Sequence, residues 1–420
     1  MASMWSEVPE DLLRLIANRL DTLTDQVRFA CVCTSWKSIL LSIRPSHSWC
    51  LLYRFEEEPS ELGEKFLFLP ERKIHHLEFI PEVLGRSKFR GCSFSWLVCT
   101  DDYSPKISLY NPFTKVLIAL PPRYNFPDVI RYCPPERSHP VYEIEIYDVD
   151  DDDTEIDFVA TSSVHIHLIH KFVLSSSPSK PNCMVVAIYG TMDYNLAYCK
   201  IGDEKWTSIA KGRMRYDDII FRDKNLLYAV TITSHVHVFD LSSNSPKLVD
   251  TIQPPPPQPL PPPPPEELGQ PEPGRRSYLV NTSIGLLLVQ RHWLWTGSLY
   301  EGNQCEKTKI FNLYMYEPSS RSWRRVENMD ENVLFLGLNT GVSIPSSRVG
   351  GYKGNHIYFT DTLFVFSLRT ARHGPYEIGV YDLDSKSAQC LQRYDTKKYW
   401  IRPTPIWYIH SPEDFFERDL

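Results

Sequence analysis

Two groups of histidines have the residue types and spacing that could bind a metal ion. His165, His167 and His170 lie close together, and so do His235 and His237. In a strand, residues i and i+2 point to one face, where imidazole nitrogens suit zinc or copper. No cysteine or carboxylate lies at ligand spacing in a recognisable pattern, so we interpret these residues as surface histidines of strands and predict no metal site.

A dense acidic run is the second candidate for metal chemistry. Its members are Asp148, Asp150, Asp151, Asp152, Asp153, Glu155 and Asp157. A calcium site needs spaced oxygen ligands and a tight turn, usually with glycine, and this run contains none. We therefore expect a solvated loop between two strands. Contact with a basic partner and a metal site are the alternatives.

The motifs of known catalytic mechanisms are missing from the sequence. It contains no G-x-S-x-G elbow, no phosphate-cradling glycine loop and no H-E-x-x-H helix. The ten cysteines are scattered and form no CxxC pair, so neither a zinc site nor a redox motif is indicated. We predict a non-catalytic protein without a cofactor, although side chains far apart in sequence can meet in space.

Composition limits the class of protein and its compartment. The chain has 420 residues, enough for one small domain plus one large repeat domain, and 42% of them are hydrophobic. Its net charge of −7 argues against a nucleic-acid binder, which would show a basic balance. Neither a signal peptide nor a long apolar run is visible, so we expect no membrane span, reduced thiols, and the cytoplasm or nucleus as the location.

The N-terminal region has the periodicity of short helices. Pro9 suits the start of a helix, and Leu12, Ile16 and Leu20 then recur every four residues to give one apolar stripe. A second short helix is predicted to carry Val27, Ala30 and Cys31, and a third runs near 34–41. Three helices in about 40 residues make a small core, so we expect this unit to depend on a binding partner for part of its stability.

Beyond about residue 50, a hairpin unit recurs. An apolar strand ends in an aromatic residue, a polar turn follows, and a second strand often carries Trp. The copies begin with the strands 107–110, 196–198, 236–239, 313–316 and 378–381. Several follow another apolar strand, at 95–98, 226–230, 285–289 and 356–359.

The spacing of these units favours a β-propeller. The aromatic markers Tyr110, Tyr198, Phe239, Tyr316 and Tyr381 are 88, 41, 77 and 65 residues apart. One interval matches a blade of roughly 40–50 residues, and 88 matches two blades, with a hidden copy at 147–148. We expect six or seven blades; an irregular pair of β-sandwiches is the alternative.

A proline tract interrupts the strand pattern at 254–265, and Pro271 and Pro273 follow it. Such a tract adopts extended polyproline II and is excluded from the middle of a sheet. We predict a loop inserted between two groups of strands. The alternative is that the tract is a ligand of a proline-binding domain.

The first helices closely resemble the F-box, over about residues 4–44. The matching residues are Val8-Pro9-Glu10-Asp11-Leu12-Leu13, followed by Ile16, Leu20, Val32, Cys33 and Trp36. The family usually has Leu-Pro at the start, whereas this chain has Val8-Pro9. The resemblance implies docking to a Skp-type adaptor and, through it, to the cullin and RING subunits of a ubiquitin ligase.

The remainder resembles the plant F-box proteins whose C-terminal domain is a divergent kelch-like propeller, the KIB type. The matching segments are 110–114, 354–359, 380–383 and 400–407. The long proline insertion is not a feature that this resemblance explains. The predicted architecture is α+β and multidomain: a three-helix F-box at 1–45, a linker leading into the propeller at 46–90, and an all-β propeller at 91–410 with the insertion near 254–273.

The resemblance also assigns residues to the adaptor contact. They are Val8, Pro9, Leu12, Leu13, Ile16, Leu20, Val32 and Trp36, the last two shared between contact and core. A free unit of this size would expose several leucines, and exposed apolar patches mark interfaces. The alternative is that these side chains only form the core of the helical unit.

The predicted function is therefore the substrate-recognition subunit of a Skp–cullin–F-box ubiquitin ligase, with the propeller holding an unidentified target protein. Loops at the end of a propeller carry recognition, while the blades supply rigidity. Two alternatives stay open. One is an F-box protein that acts without ubiquitination, and the other is a propeller enzyme whose F-box is vestigial.

Overall fold

The structure of the chain, a computed structural model, combines a small helical unit with a large assembly of β-sheets. It describes residues 8–20, 29, 32–43, 48–56, 63–68, 73–76, 87–101, 104–112, 114–133, 141–147, 154–160, 169–190, 195–210, 214–258, 273–296, 305–349, 351–360, 378–392, 400–401 and 406–410. The fold is mostly β and propeller-like.

Two helices are described in the N-terminal unit: α1 (Glu10–Asn18) and α2 (Thr34–Ile43). They confirm the first and third predicted helices. The second predicted helix falls at 21–31, where only Phe29 is described, and that side chain is buried. Neither helix combines the length and hydropathy needed to cross a membrane.

The strands follow in chain order and are mostly short. They are β1 (Ser48–Glu56), β2 (Gly63–Phe68), β3 (Lys73–His76), β4 (Ser87–Ser93), β5 (Trp96–Asp101), β6 (Ile107–Tyr110), β7 (Leu117–Leu120), β8 (Val129–Cys133), β9 (Val141–Tyr147), β10 (Thr154–Ala160), β11 (Ile169–Leu174), β12 (Met184–Tyr189), β13 (Asn195–Lys200), β14 (Thr207–Ala210), β15 (Tyr216–Phe221), β16 (Leu226–Thr231), β17 (Val236–Asp240), β18 (Lys247–Ile252), β19 (Pro273–Thr282), β20 (Gly285–Thr296), β21 (Cys305–Glu317), β22 (Ser322–Val326), β23 (Asn332–Leu336), β24 (Gly341–Pro345), β25 (His356–Thr360), β26 (Ile378–Asp382), β27 (Ser387–Gln392), β28 (Trp400–Ile401) and β29 (Ile406–His410).

Antiparallel sheets of four consecutive strands are the recurring unit. The orders β4-β5-β6-β7, β11-β12-β13-β14 and β15-β16-β17-β18 are each one sheet. Strands β19 to β22 pair in the same way, as one half of a nine-stranded sheet that continues through the parallel pair β19–β24 into its other half, β23–β27. The five predicted hairpins are confirmed: in these four groups each joins the third and fourth strands, and the fifth joins β26 to β27. The aromatic markers Tyr110 and Tyr381 are buried because both faces of their strands are covered: Leu109 and Tyr110 lie in different buried clusters, and so do Val380 and Tyr381.

Clusters of buried side chains join neighbouring sheets in a closed circuit. Successive clusters connect β4–β7 with β11–β14, then β15–β18, then β19–β22, then β23–β27. Trp407 of β29 joins the next cluster with β23–β27, and Ile406 and Tyr408 join the last one with β4–β7. Each sheet therefore packs face to face on the next, as in a propeller.

The circuit is closed by a sheet that we call the closing sheet, made of β1, β2, β3, β28 and β29. Strand β1 pairs with β2 on one side and with both C-terminal strands on the other, for example Leu51 with Trp407. The segment 46–90, expected to be a linker leading into the propeller, thus contains three strands of this sheet. The proposed domain limits themselves stay a prediction.

A separate three-stranded sheet, β10-β9-β8, lies beside this circuit. It contains Tyr147, the expected hidden copy of the hairpin unit. Its buried residues Tyr142 and Ile144 pack into the cluster that already joins β4–β7 to β11–β14. Strand β4 lies directly against β11, since a Cβ on Gly91 would be 3.3 Å from the carbonyl oxygen of Phe172. This sheet is therefore placed as an insertion between two neighbouring sheets.

One backbone segment, residues 337–341, crosses the interior between β23 and β24, and we call it the crossing segment. It contacts two other sheets and a neighbouring strand of its own sheet. The Gly337 carbonyl accepts from Lys171 Nζ of β11 at 3.4 Å, Thr340 N donates to the Cys92 carbonyl of β4 at 3.5 Å, and a Cβ on Gly341 would lie 2.7 Å from the Leu279 carbonyl of β19. Glycine is required at that last position, because a larger residue would clash with backbone.

The proline tract lies between β18 and β19, as predicted. Residues 254–258 have no regular secondary structure, and 259–272 lie outside the described residues. The tract leaves the sheets next to Trp323, whose indole N–H donates to the Gln253 carbonyl at 2.7 Å. Pro273 is the first residue of β19, a position at which proline is tolerated in a strand.

Candidate adaptor-docking site and the buried charges of the ring

Helix α1 begins where the sequence provides helix-start chemistry. Pro9 precedes the helix and its carbonyl accepts from the N–H groups of Leu12 and Leu13, both at 3.1 Å. Glu10 lies in the first turn, where the helix dipole favours a negative charge, and forms an ion pair with Arg14 one turn later. This exposed pair contributes only a few tenths of a kcal/mol, so burial of apolar side chains must hold the helix in place.

One side of α1 forms the core of the helical unit. Leu13 and Ala17 are buried there, together with Phe29, Trp36, Ile39 and Leu40. The rings of Phe29 and Trp36 lie 4.5 Å apart between centroids, a distance at which aromatic rings attract. The core is small, so this unit has limited stability on its own.

The opposite side of α1 exposes large apolar side chains. The exposed fractions are 52% for Leu12, 58% for Leu15 and 42% for Ile16, and we call these three residues the docking stripe. Residues three and four apart lie on one helix face, so Leu12 is next to both of the others. Val32, before α2, is exposed as well. This is the arrangement of a surface that binds an apolar partner.

The predicted contact residues divide between these two surfaces. Leu12, Ile16, Val32 and Pro9 are exposed. Leu13 and Trp36 are buried in the core, while Val8 and Leu20 are half-buried at its edge. The exposed four are accessible in the free chain, and contact of all eight residues with an adaptor stays a prediction.

Leu15 was missed by the sequence reasoning. The signal was present, because Leu15 follows Leu12 by three residues and therefore shares its face. Each exposed Leu or Ile that becomes fully buried contributes about 1.5–3 kcal/mol, so the docking stripe can support firm binding without any charged contact.

The interior of the ring contains a buried ion pair between two sheets. Lys171 Nζ of β11 lies 2.5 Å from Asp218 Oδ1 of β15, and both side chains are almost completely buried. Asp218 Oδ2 also accepts from the backbone N–H of Leu279 on β19. Burial lowers the pKa of Lys171, and the charge of Asp218 opposes that effect. Three neighbouring inner strands are thus held by one carboxylate.

The described histidines of these two groups have other partners, and the interpretation as surface residues is wrong for His237, which is buried. His170 Nε2 lies 2.8 Å from the Gly190 carbonyl, and His237 Nδ1 lies 2.9 Å from the Tyr216 hydroxyl. His235 Nδ1 is 3.0 Å from a threonine hydroxyl. His165 and His167 lie outside the described residues. Across the described part of the chain, no group of three or more His, Cys, Asp or Glu could hold a metal ion.

The acidic run is only partly described. Asp148 and Asp150 to Asp153 lie outside the described residues, between β9 and β10, while Glu155 and Asp157 are in β10 itself. The prediction of a solvated loop therefore stays a prediction for 148–153.

Two family models match this chain. One, described as the F-box domain, matches residues 5–47, and the other, described as the KIB1-4 beta-propeller, matches residues 66–382. The F-box protein At5g55150 of Arabidopsis thaliana is 24% identical, over 96% of this chain and 98% of its own. The F-box protein SKIP23 of the same plant is 23% identical, over 96% and 95%.

Among solved structures, a functionally unknown protein from Desulfotomaculum acetoxidans has a TM-score of 0.34 and 9% identity, covering 83% of this chain and 95% of that one. A likeness of this size carries no argument about function. The family matches do, because the propeller model covers most of the chain and the F-box model covers both described helices. The chain therefore belongs to the plant F-box proteins with a KIB1-4 β-propeller.

Proposed function

We propose that this protein is the substrate-recognition subunit of a Skp–cullin–F-box ubiquitin ligase. The observation that carries the proposal is the docking stripe, an exposed apolar surface on α1 inside the segment that matches the F-box domain. A Skp-type adaptor would cover that stripe and connect the chain to cullin and RING subunits. The adaptor-binding segment ends before β1, which leaves the sheets free for a target.

The role of the ring is to hold the target, and the protein itself is non-catalytic. Ubiquitin transfer is carried out by other subunits, while the bound target gains a high local concentration near the charged ubiquitin. Six blades are proposed, because six clusters of buried residues join the sheets in one circuit. The cytoplasm or nucleus, where such ligases operate, is the proposed location.

The test is a pull-down of a purified Skp-type adaptor with paired variants. Leu12→Asp together with Ile16→Asp removes two apolar contacts worth about 1.5–3 kcal/mol each, so affinity should fall about 100-fold to 10,000-fold. Val116→Asp together with Leu117→Asp is the matched control, because these residues are similarly exposed but lie on the ring. The control should bind like the wild type. Adaptor binding by the first variant at wild-type affinity contradicts the proposal.

Cellular turnover separates ligase function from adaptor binding without ubiquitination. If the adaptor and cullin co-purify with the wild-type chain, proteins retained by a chain lacking residues 1–45 become target candidates. Accumulation of such a target when the docking stripe is altered supports the ligase role. A target whose ubiquitination and half-life do not change points to sequestration instead.

A further inference from the structure

The ends of the sheets, rather than the interior of the ring, offer a surface for a partner. The crossing segment occupies the interior with backbone, and its Gly337 carbonyl lies against Lys171. At the sheet ends, two exposed apolar side chains lie close to arginines. Met214 is 46% exposed and Ile232 is 42% exposed, and both are at the end where β15 begins and β16 turns into β17.

Hydrogen bonds join Arg215, Ile232 and Arg275 in a patch that we call the basic rim, which also includes Met214, the neighbour of Arg215 along the chain. Ile232 N donates to the Arg215 carbonyl at 2.9 Å, which places the turn beside the start of β15. Arg275 Nη2 of β19 donates to the Ile232 carbonyl at 2.7 Å, which fixes this exposed guanidinium next to the apolar side chain. The basic rim thus spans two neighbouring sheets.

The basic rim lies on a rigid base. Below it, Ser234 Oγ is 3.0 Å from Ser277 Oγ and accepts from Gln290 Nε2 at 2.8 Å, and all three side chains are buried between the two sheets. A buried, satisfied polar network of this kind fixes the relative position of the strands that carry it. The partner would therefore meet a preformed surface.

The charge of the basic rim is positive, although the whole chain has a net charge of −7. Asp217 interacts electrostatically with both Arg275 and Arg276, and its carboxylate also accepts from Ser277 N at 2.9 Å. The neighbouring Asp218 is already paired with Lys171, so Asp217 alone offsets these two guanidinium groups, and Arg215 adds a third. His292 beside Arg275 adds no charge at neutral pH, because burial, helped by Arg275, lowers its pKa to about 4.

From this arrangement we infer that the basic rim binds an acidic peptide segment of the target, with one apolar side chain seated on Met214 and Ile232. The inference rests on the proposed function and names the chemistry of the partner. Carboxylates fit better than a single phosphate group, because Arg275 and Arg276 are each held on a different backbone carbonyl, of Ile232 and Asp217, and are not clamped together around one anion site.

The test is selection of random short peptides displayed on phage against the full chain, followed by direct binding of the enriched peptides. Enrichment of Asp and Glu next to Leu, Ile, Met or Phe is expected. Arg275→Glu should weaken binding at least about tenfold, and so should Ile232→Asp. Binding should also weaken as salt is raised.

The matched controls lie at the opposite end of the same two sheets. Lys224→Glu in the β15–β16 turn and Ile284→Asp in the β19–β20 turn alter an exposed cation and an exposed apolar residue. Both should leave peptide binding unchanged. Arg275→Lys keeps the positive charge and should retain part of the affinity, which shows that the charge matters. Thermal unfolding of each variant checks that a loss of binding is not a loss of folding.

Three results overturn the inference: no enrichment, enrichment without acidic residues or only of phosphorylated peptides, and binding that is lost in the controls rather than in the rim variants. Failure of the proposed function is distinguishable, because adaptor binding by the docking stripe is measured on the same proteins. If the wild-type chain binds acidic peptides but no adaptor, the inference about the basic rim stands and the proposed ligase function is refuted.

Discussion

The buried pair of Lys171 and Asp218 allows a prediction with a defined magnitude. Both side chains are almost fully excluded from water, and removal of one partner from such a pair leaves an uncompensated charge, which costs about 3–5 kcal/mol. We predict this loss in the free energy of unfolding for Lys171→Met. We expect a similar loss for Asp218→Asn, which replaces the carboxylate beside the Lys171 ammonium with a neutral amide.

The double variant distinguishes the ion pair from simple packing. Lys171→Met combined with Asp218→Asn removes both charges and keeps similar volumes, so it should cost less than either single variant. The measurement is urea unfolding of the full chain, followed by tryptophan fluorescence, with Trp206 and Trp407 as buried reporters of the ring. Single variants that cost less than about 1 kcal/mol, or a double variant that costs their sum, would refute the reasoning.

Further predictions concern the same ring. Burial raises the pKa of Asp217 from 3.8 to about 6, so the free energy of unfolding should fall as pH rises from about 4 to 6. Asp217→Asn should remove this pH dependence and raise the free energy of unfolding by at most about 3 kcal/mol at neutral pH. Urea unfolding across this pH range measures both. Gly341→Ala should lower the free energy of unfolding by about 1–3 kcal/mol, because its Cβ would meet the Leu279 carbonyl, and a lower melting temperature checks this. Trp407→Ala should lower the free energy of unfolding by about 3–5 kcal/mol and make the ring sensitive to limited proteolysis. If the variant resists the protease as well as the wild type does, β29 does not close the circuit.

Local patterns in the sequence predicted the hairpins well. Tyr110 ends its strand and Tyr381 is the next-to-last residue of its own, and polar turn residues follow both, so short apolar runs bounded by turn residues were enough to place these hairpins. The pairing of Leu51 with Trp407 was out of reach, because nothing in the neighbourhood of either residue specifies a partner so far along the chain. The ion pair between Lys171 and Asp218 was missed for the same reason.

The helix that carries the docking stripe was predicted from the sequence, but the side of it that is exposed was not. Periodicity placed Leu12, Leu13 and Ile16 on a helix, yet α1 has apolar residues on two sides, and only the packed structure shows which side faces the core. Leu13 faces that core, while Leu15, absent from the prediction, is exposed. Helical spacing gives the relative position of side chains, whereas tertiary packing decides which of them a partner can reach.

The closing sheet also sets the order of events while the chain is being synthesised. About 350 residues separate the end of β1 from the start of β29, its partner. At roughly 5–20 residues per second, a ribosome needs about 20–70 s to cover that distance. Throughout this interval α1 and α2 have already been synthesised, so the docking stripe is accessible before the ring exists, and β1 must be kept from pairing with other edges until β29 emerges.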